Sequence, residues 1–288
     1  MDYFEHMRRR LAGQEPFTPA RIGDKKKLRQ FAGFVGVRVP ETFYVGPIAD
    51  LLERDLPEEF ALKPDFASTS IGVLLLKRAS AGSFINLLDG QEISGEEVLS
   101  RCGAISERYY GDAARGHFIA EELLRDHEGR TPPQDIRFYT FQGEIGMILK
   151  EEHLAGPASA MYFDGEFLPF PDVTGRYGVA KSAEHLEAIV PATTPENWRE
   201  LLAVAKRVST AVASSFCRVD LYDTPAGIYL GEITFFPGTF YYRDRKLMSQ
   251  AEAERLGRMW DAAAERLRGS KDQPSAPSNE THADFTRT

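Results

Sequence analysis

From Arg218 to Thr234 polar and apolar positions alternate in two short blocks. Arg218, Asp220 and Tyr222 fall on one side of the first block, Val219 and Leu221 on the other. A strand turns successive side chains to opposite faces, so the first three share a surface. Glu232 and Thr234 share a surface in the second block, opposite Ile233. The intervening Asp223-Thr224-Pro225-Ala226-Gly227 is turn chemistry, which predicts a β-hairpin. Two carboxylates and a hydroxyl then meet on one face. Hard oxygen ligands on a rigid sheet suit Mg²⁺ carrying nucleotide phosphates; a solvated polar face is the plainer alternative.

The same patterning divides the rest of the chain. Residues 2–12 predict a short amphipathic helix ending in Arg8-Arg9-Arg10, read as a solvated basic end. Residues 24–35 predict a second helix, with Asp24 as N-cap and Gly36 as stop. A turn running into a strand is expected at 39–45 and a short helix at 48–55. Further strands are expected at 60–64, 72–77 and 116–123, with a helix at 94–108 between the last two. A hairpin is expected from 135–141 and 144–151 around Gln142-Gly143. Leu201, Leu202, Ala205, Val208 and Val212 recur at helical spacing within 195–214. Residues 247–267 predict a last helix, and the tail from Gly269 is read as disordered.

Composition narrows the function. The 288 residues carry a net charge of −8, which disfavours a general nucleic-acid binder. No apolar run reaches the ~20 residues of a membrane-spanning helix, and the N-terminus lacks a signal-peptide pattern, so a cytoplasmic protein is expected. The only cysteines, Cys102 and Cys217, are read as reduced thiols, with Cys217 a buried structural one. The six histidines have no metal-pair spacing, and His117 and His153 are read as bystanders.

Three further features fit a nucleotide cleft. Lys63 ends an apolar strand and precedes a loop of small residues, with Ser68, Thr69 and Ser70 offering backbone N–H groups to phosphate. Phe118-Ile119-Ala120 runs into Glu121, Glu122 and Leu123, where backbone can meet a base edge and a carboxylate a ribose. Asp135 and Arg137 alternate on one face, and Lys150 follows an apolar return strand, supplying cations to an acidic protein.

This order of elements resembles the ATP-grasp superfamily, most closely the branch typified by teichuronopeptide-biosynthesis (TupA-like) proteins, over roughly residues 24 to 267. The resemblance implies an α+β fold of two lobes clasping ATP, with a reduced N-terminal substrate domain. It divides the chain into an N-terminal segment (1–58), a small lobe with the phosphate loop (59–125), a large lobe with the metal site (126–268) and a tail (269–288). By resemblance, Lys25 or Lys27, Lys63, the 68–70 loop, Glu121, Glu122 and Leu123 contact nucleotide. Asp220, Glu232 and Thr234 hold one or two Mg²⁺ ions, with Mn²⁺ as a substitute. Arg137, Lys150 and Arg218 steady the transferring phosphoryl group. Tyr241, Arg243 and Arg245 are assigned to an anionic substrate.

The activity this implies is ATP-dependent ligation of a carboxylate to an amine through an acyl phosphate. The partners are a small-molecule, peptide or glycan carboxylate and an amine, with no nucleic acid; a homodimer is left open. A kinase on the same scaffold and a non-catalytic nucleotide-binding module remain alternatives.

Overall fold

The computed structural model describes residues 1–15, 18–19, 22, 25–67, 71–80, 82–152, 158–240 and 245–271. Helix α1 (Tyr3–Leu11) starts at a capping box, in which Asp2 accepts from the Glu5 N–H and Glu5 from the Asp2 N–H. Its basic end is not solvated throughout. Arg10 is 3% exposed and donates to the carbonyls of Phe216 (2.9 Å) and Phe235 (3.1 Å), with its guanidinium over the Trp260 ring. Helix α2 (Lys25–Val35) ends before Gly36 as expected, while Asp24 lies outside the described residues.

A first six-stranded antiparallel sheet is built from β1 (Thr42–Gly46), β2 (Glu59–Pro64), β3 (Leu74–Ser80), β4 (Ser83–Asn86), β5 (Gln91–Ser94) and β6 (Phe118–Glu121), in the order β1-β6-β2-β3-β4-β5. The short helix expected after β1 is a 3₁₀ turn, Ile48–Glu53. Helix α3 (Gly95–Tyr110), capped by Ser94, buries Val98 and Cys102 against Phe60, Leu62, Leu76, Phe84 and Phe118. Burial of ten or more apolar side chains, each favoured by about 1.5–3 kcal/mol, offsets the ordering of these strands.

A second six-stranded sheet contains β7 (Asp135–Phe141), β8 (Glu144–Glu152), β9 (Ala158–Phe163), β11 (Glu187–Ile189), β12 (Cys217–Thr224) and β13 (Gly227–Thr234), in the order β11-β9-β8-β7-β12-β13. Only the β11–β9 pair is parallel. A one-turn helix α4 (Val173–Arg176) precedes β10 (Tyr177–Val179), which pairs with β14 (Lys246–Met248) as a separate ribbon.

Both faces of the second sheet are covered. On one, α5 (Trp198–Val212) packs Leu201, Ala205 and Val208 onto Phe138, Ile148, Val219 and Leu221, with α2 alongside. On the other, α1 and α6 (Gln250–Lys271) pack Tyr3, Met7, Leu256 and Trp260 onto Tyr139, Phe141 and Phe216. Helix α6 runs past Gly269, so the tail begins later than expected; residues 272–288 lie outside the described residues. Both cysteines are buried thiols, and burial pushes Cys102 up to about 12 and Cys217 to about 11.

Candidate functional site

The hairpin of β12 and β13 opens from Thr224 paired with Gly227, and a regular ladder from that turn would set Asp220 against Gly231. Instead the register shifts between Asp220 and Leu221, and Asp220 faces Glu232 while Leu221 faces Leu230. Gly231 is the extra residue of a β-bulge. A Cβ there would lie 2.8 Å from Cε2 of Tyr222, so the absent side chain is what lets the Tyr222 ring cross the bulge. The bulge brings both carboxylates to one face, with Arg218 opposite Thr234 one step along.

Around this pair lies a network of charges in which Arg218, Asp220, Glu151, Glu187 and Lys246 are buried while Glu232 is exposed to solvent. Arg218 grips Asp220 with two parallel bonds, Nε to Oδ1 at 2.7 Å and Nη2 to Oδ2 at 2.6 Å. It also reaches the Thr239 hydroxyl at 3.3 Å and Glu232 at 3.5 Å. Arg137, on the neighbouring strand β7 and opposite Asp220, donates to Asp135 at 2.9 Å and pairs with Glu151. Its Nε is 3.9 Å from Asp220 and has no hydrogen-bond partner among the described residues. Lys246 of β14 pairs with both Glu151 and Glu187. Burial pushes the Asp220 carboxyl up to about 6, against the pull of Arg218 and Arg137, with Glu232 adding to the rise. For Arg137, burial opposes the charge, but Glu151 and then Asp135 and Asp220 outweigh it and raise the pKa.

Across the cleft, β2 presents Lys63, which pairs with Glu121 of the adjacent strand β6. A pocket between the two sheets is lined by Lys63 and Glu121 on one side and by Tyr222, Leu230 and Gly231 on the other, with Leu28, Arg29, Val39 and Pro40 closing one end. Glu122, the next residue, faces elsewhere. It accepts from the Glu41 N–H at 3.1 Å and the Tyr229 hydroxyl at 3.2 Å, joining the sheets beside the pocket. Leu123 lies beyond the end of β6 in irregular chain.

The expected residues therefore divide. Arg137, Arg218, Asp220, Glu232 and Thr234 share one face of the second sheet, while Lys63 and Glu121 line the pocket with Tyr222 and Gly231 of that sheet. Lys150 does not join them. It pairs with Ile136 and Met161 on the opposite, α5 face, where burial and Arg130 lower its pKa and Asp223 works the other way. The physical reason is a second bulge. Phe141 pairs with Glu144, but the register shifts between Tyr139 and Thr140, with Gly146 as the extra residue. Asp135 therefore meets Glu151 rather than Lys150. Lys27 is on the exposed side of α2, and Arg245 is exposed beside β14. The Lys25 side chain and residues Ser68, Thr69, Ser70, Tyr241, Arg243 and His153 lie outside the described set. Phe235 and Phe240 are buried, whereas Phe236 is 41% exposed.

Sequence reasoning missed Glu151, Glu187 and Lys246, which complete the network. It put Tyr222 on the right face without assigning it to the pocket. The run Lys150-Glu151-Glu152 carries three charges in succession, so no alternation marks which one turns toward Arg137.

The donor chemistry fits a divalent cation. Asp220 and Glu232 face each other, and the Thr234 hydroxyl beside them is buried without a hydrogen-bond partner among the described residues. By formal charge, Arg137, Arg218 and Lys246 meet Asp135, Glu151, Glu187, Asp220 and Glu232, an excess of two negative charges. Among the described residues no group of three or more His, Cys, Asp or Glu forms a self-contained metal cage. Two carboxylates with further oxygens from phosphate are the pattern by which Mg²⁺ is held on a nucleotide.

The pattern of one family, described as TupA-like ATPgrasp, matches residues 20–256. No curated protein matches the chain. Among solved structures, the chain is similar to a D-alanine–D-alanine ligase from Bacillus anthracis complexed with ATP, at 14% identity and a TM-score of 0.47, covering 86% of this chain and 67% of that one. It is similar to the D-alanine–D-alanine ligase from Helicobacter pylori at 15% identity and a TM-score of 0.45, covering 88% and 62%. It is also similar to the ATP-grasp ligase PsnB complexed with a precursor variant, Mg and ADP, at 11% identity and a TM-score of 0.43, covering 85% and 58%. The chain thus spans 58–67% of the lengths of these three proteins. Among the described residues no helix is long and apolar enough to cross a membrane. The matched stretch runs from α2 into α6 and takes in both sheets and the pocket between them: the chain belongs to the TupA-like ATP-grasp family and has its α+β fold.

Proposed function

We propose that this protein is an ATP-dependent ligase that joins a carboxylate to an amine through an acyl phosphate. The observation that carries this reading is the facing pair Asp220 and Glu232, flanked by the buried Arg218 and the part-buried Arg137, on a hairpin whose Tyr222 and Gly231 line a pocket with Lys63 opposite. Asp220, Glu232 and Thr234 would hold Mg²⁺, which when bound neutralises and orients the phosphate oxygens. Lys63 supplies a point charge on the nucleotide side. Arg218 and Arg137 offset the charge that spreads over the transferring phosphoryl oxygens and then over the acyl phosphate. Because these groups are pre-oriented by strands, little reorganisation accompanies the transfer.

Amide formation then needs the amine to reach the acyl carbon before water does, so the reaction depends on a closed cleft. The acceptor chemistry is that of a small-molecule, peptide or glycan carboxylate, with the exposed Arg245 assigned to its anionic group.

The test is coupled ADP release with MgATP against amino acids, small peptides and uronates, singly and in pairs, with mass spectrometry of the products. ADP formed only with a carboxylate–amine pair, together with an amide mass, is the expected result. A phosphorylated product without an amide makes the protein a kinase instead. Failure of MgATP to raise the melting temperature would sink the nucleotide reading itself.

A further inference from the structure

Arg137, Glu151, Glu187 and Lys246 come from four separate strands, β7, β8, β11 and β14, and converge beside the carboxylate pair. The side chains of Glu151 and Glu187 are 7% and 6% exposed, and that of Lys246 is 10% exposed. Buried ion pairs of this kind rarely add net stability over an apolar core, so their retention calls for another explanation.

The geometry of Arg137 supplies one. Its Nη1 is taken by Glu151 and its Nη2 by Asp135, which turns the Nε edge toward Asp220. That Nε stops at 3.9 Å from the Asp220 oxygen and, among the described residues, has no hydrogen-bond partner, although it is buried. Both oxygens of Asp220 are already engaged by Arg218. A guanidinium free to move would close on the nearest carboxylate; this one is held off. A buried N–H without a partner costs free energy unless an acceptor arrives, and the acceptor that fits is an anionic oxygen entering next to Asp220.

We propose that Glu151 is the positioning residue for Arg137, and that Lys246, balanced by Glu187, anchors Glu151 in that orientation. The arrangement keeps the Arg137 Nε–H open for an oxygen of the transferring phosphoryl group. This rests on the ligase reading above and extends it by two residues that do not themselves touch the nucleotide. Lys246 follows directly on the exposed Arg245, and Thr239 bonds Arg218.

The test compares calorimetric binding of MgADP with binding of MgADP plus aluminium fluoride, which mimics the phosphoryl group in flight. The unmodified chain is expected to bind the fluoride complex more tightly than MgADP alone. Glu151→Gln removes the charge at nearly constant shape and is expected to lose about tenfold of that gain, with MgADP affinity kept within about twofold. Glu151→Asp should recover part of the gain. In an Arg137→Met background Glu151→Gln should add nothing further, because its effect passes through Arg137. If the single variant fails to fold, Glu151→Gln with Lys246→Gln removes one buried charge of each sign and is measured in its place.

Loss of both affinities in equal measure would make Glu151 merely structural and overturn the proposal. Retention of the full gain by Glu151→Gln would overturn it too, as would an unmodified chain that binds MgADP with no gain from fluoride. In those three cases the nucleotide reading stands. An unmodified chain that binds neither complex removes that reading, and this proposal with it.

Discussion

The hairpins β7–β8 and β12–β13 are built alike. Each closes in a two-residue turn, and each carries a single-glycine bulge in its second strand, Gly146 and Gly231. Both bulges move the register by one residue, and in a sheet one residue exchanges the faces. In β13 the shift sets Glu232 opposite Asp220; in β8 it sets Glu151, in place of Lys150, opposite Asp135. Yet only the first outcome can be read from the sequence. Beyond its bulge β13 continues Glu232-Ile233-Thr234, whose apolar middle residue marks the buried face and fixes the phase. Beyond its bulge β8 continues Met147-Ile148-Leu149, buried on both faces, and then three charges in a row. A strand covered on both sides carries no alternation to reveal which face a terminal charge takes.

The comparison is broken most sharply on β12 itself, where Asp220 and Asp223 are both buried but face opposite sides of the sheet. Asp220→Ala leaves the Arg218 guanidinium buried and uncompensated, and is expected to cost about 3–5 kcal/mol of stability. It should also abolish Mg²⁺-dependent nucleotide binding. Asp223 instead accepts from Asn197 at 2.9 Å and meets His127 at 3.0 Å, away from the pocket. Asp223→Ala should cost about 1–3 kcal/mol, the penalty for orphaning those groups, and leave MgADP affinity unchanged. Urea unfolding paired with calorimetric titration of both variants separates the two. Equal losses of nucleotide binding would mean that the faces are not functionally distinct.

The same reasoning shows how far the sequence alone reaches. Lys63, Glu121, Arg218, Asp220 and Glu232 were legible because each sits on a strand with polar–apolar alternation or at its end, so a face could be assigned. The helices α2, α3, α5 and α6 were legible from apolar spacing and from punctuating residues such as Gly36 and Ser94. The strands β4, β5, β9, β10, β11 and β14 were not, since most are three or four residues long and gain their pairing from distant neighbours. Lys246 is the clearest instance. It lies on a three-residue strand, and its partners Glu151 and Glu187 are 95 and 59 positions away. Arg10 was hidden for the opposite reason: among three arginines in succession, only the packing of α1 against α6 and the end of β12 singles one out.

The two bulges differ in what their glycines make room for, which gives a second and smaller test. A Cβ at Gly231 would meet the Tyr222 ring in the pocket, whereas one at Gly146 would lie 2.7 Å from both Leu256 and Phe141 in the core. Gly146→Ala is expected to cost about 1–3 kcal/mol through overpacking, with nucleotide affinity intact in the folded fraction. Gly231→Ala should instead displace Tyr222 and weaken MgADP binding at a smaller cost in stability. Adding Tyr222→Ala should relieve the clash and return the strand to its unstrained register. If Gly231→Ala destabilises the fold as much as Gly146→Ala and leaves affinity untouched, Tyr222 is part of the core and not of the pocket.

The smallest effect is expected from pH on the α5 face. His127 hydrogen-bonds Asp223, which raises its pKa above the ordinary 6.5 against a desolvation penalty, with Asp223, Glu196 and Asp126 adding through their charges. A histidine whose folded pKa is raised binds its proton more tightly in the folded state. Its contribution is therefore complete below pH 6.5 and fades as pH climbs through the folded value. Because the ring is 37% exposed, solvent screens the pair and the contribution is slight. Unfolding curves collected at successive pH values should show a shallow decline above pH 6.5 that His127→Gln abolishes. MgADP affinity, set by Asp220, should not follow that decline, because the His127–Asp223 pair lies on the opposite face of the sheet. A fall in affinity that tracks the histidine would couple the two faces of the sheet, and the separation that the bulges create would then be one of position only.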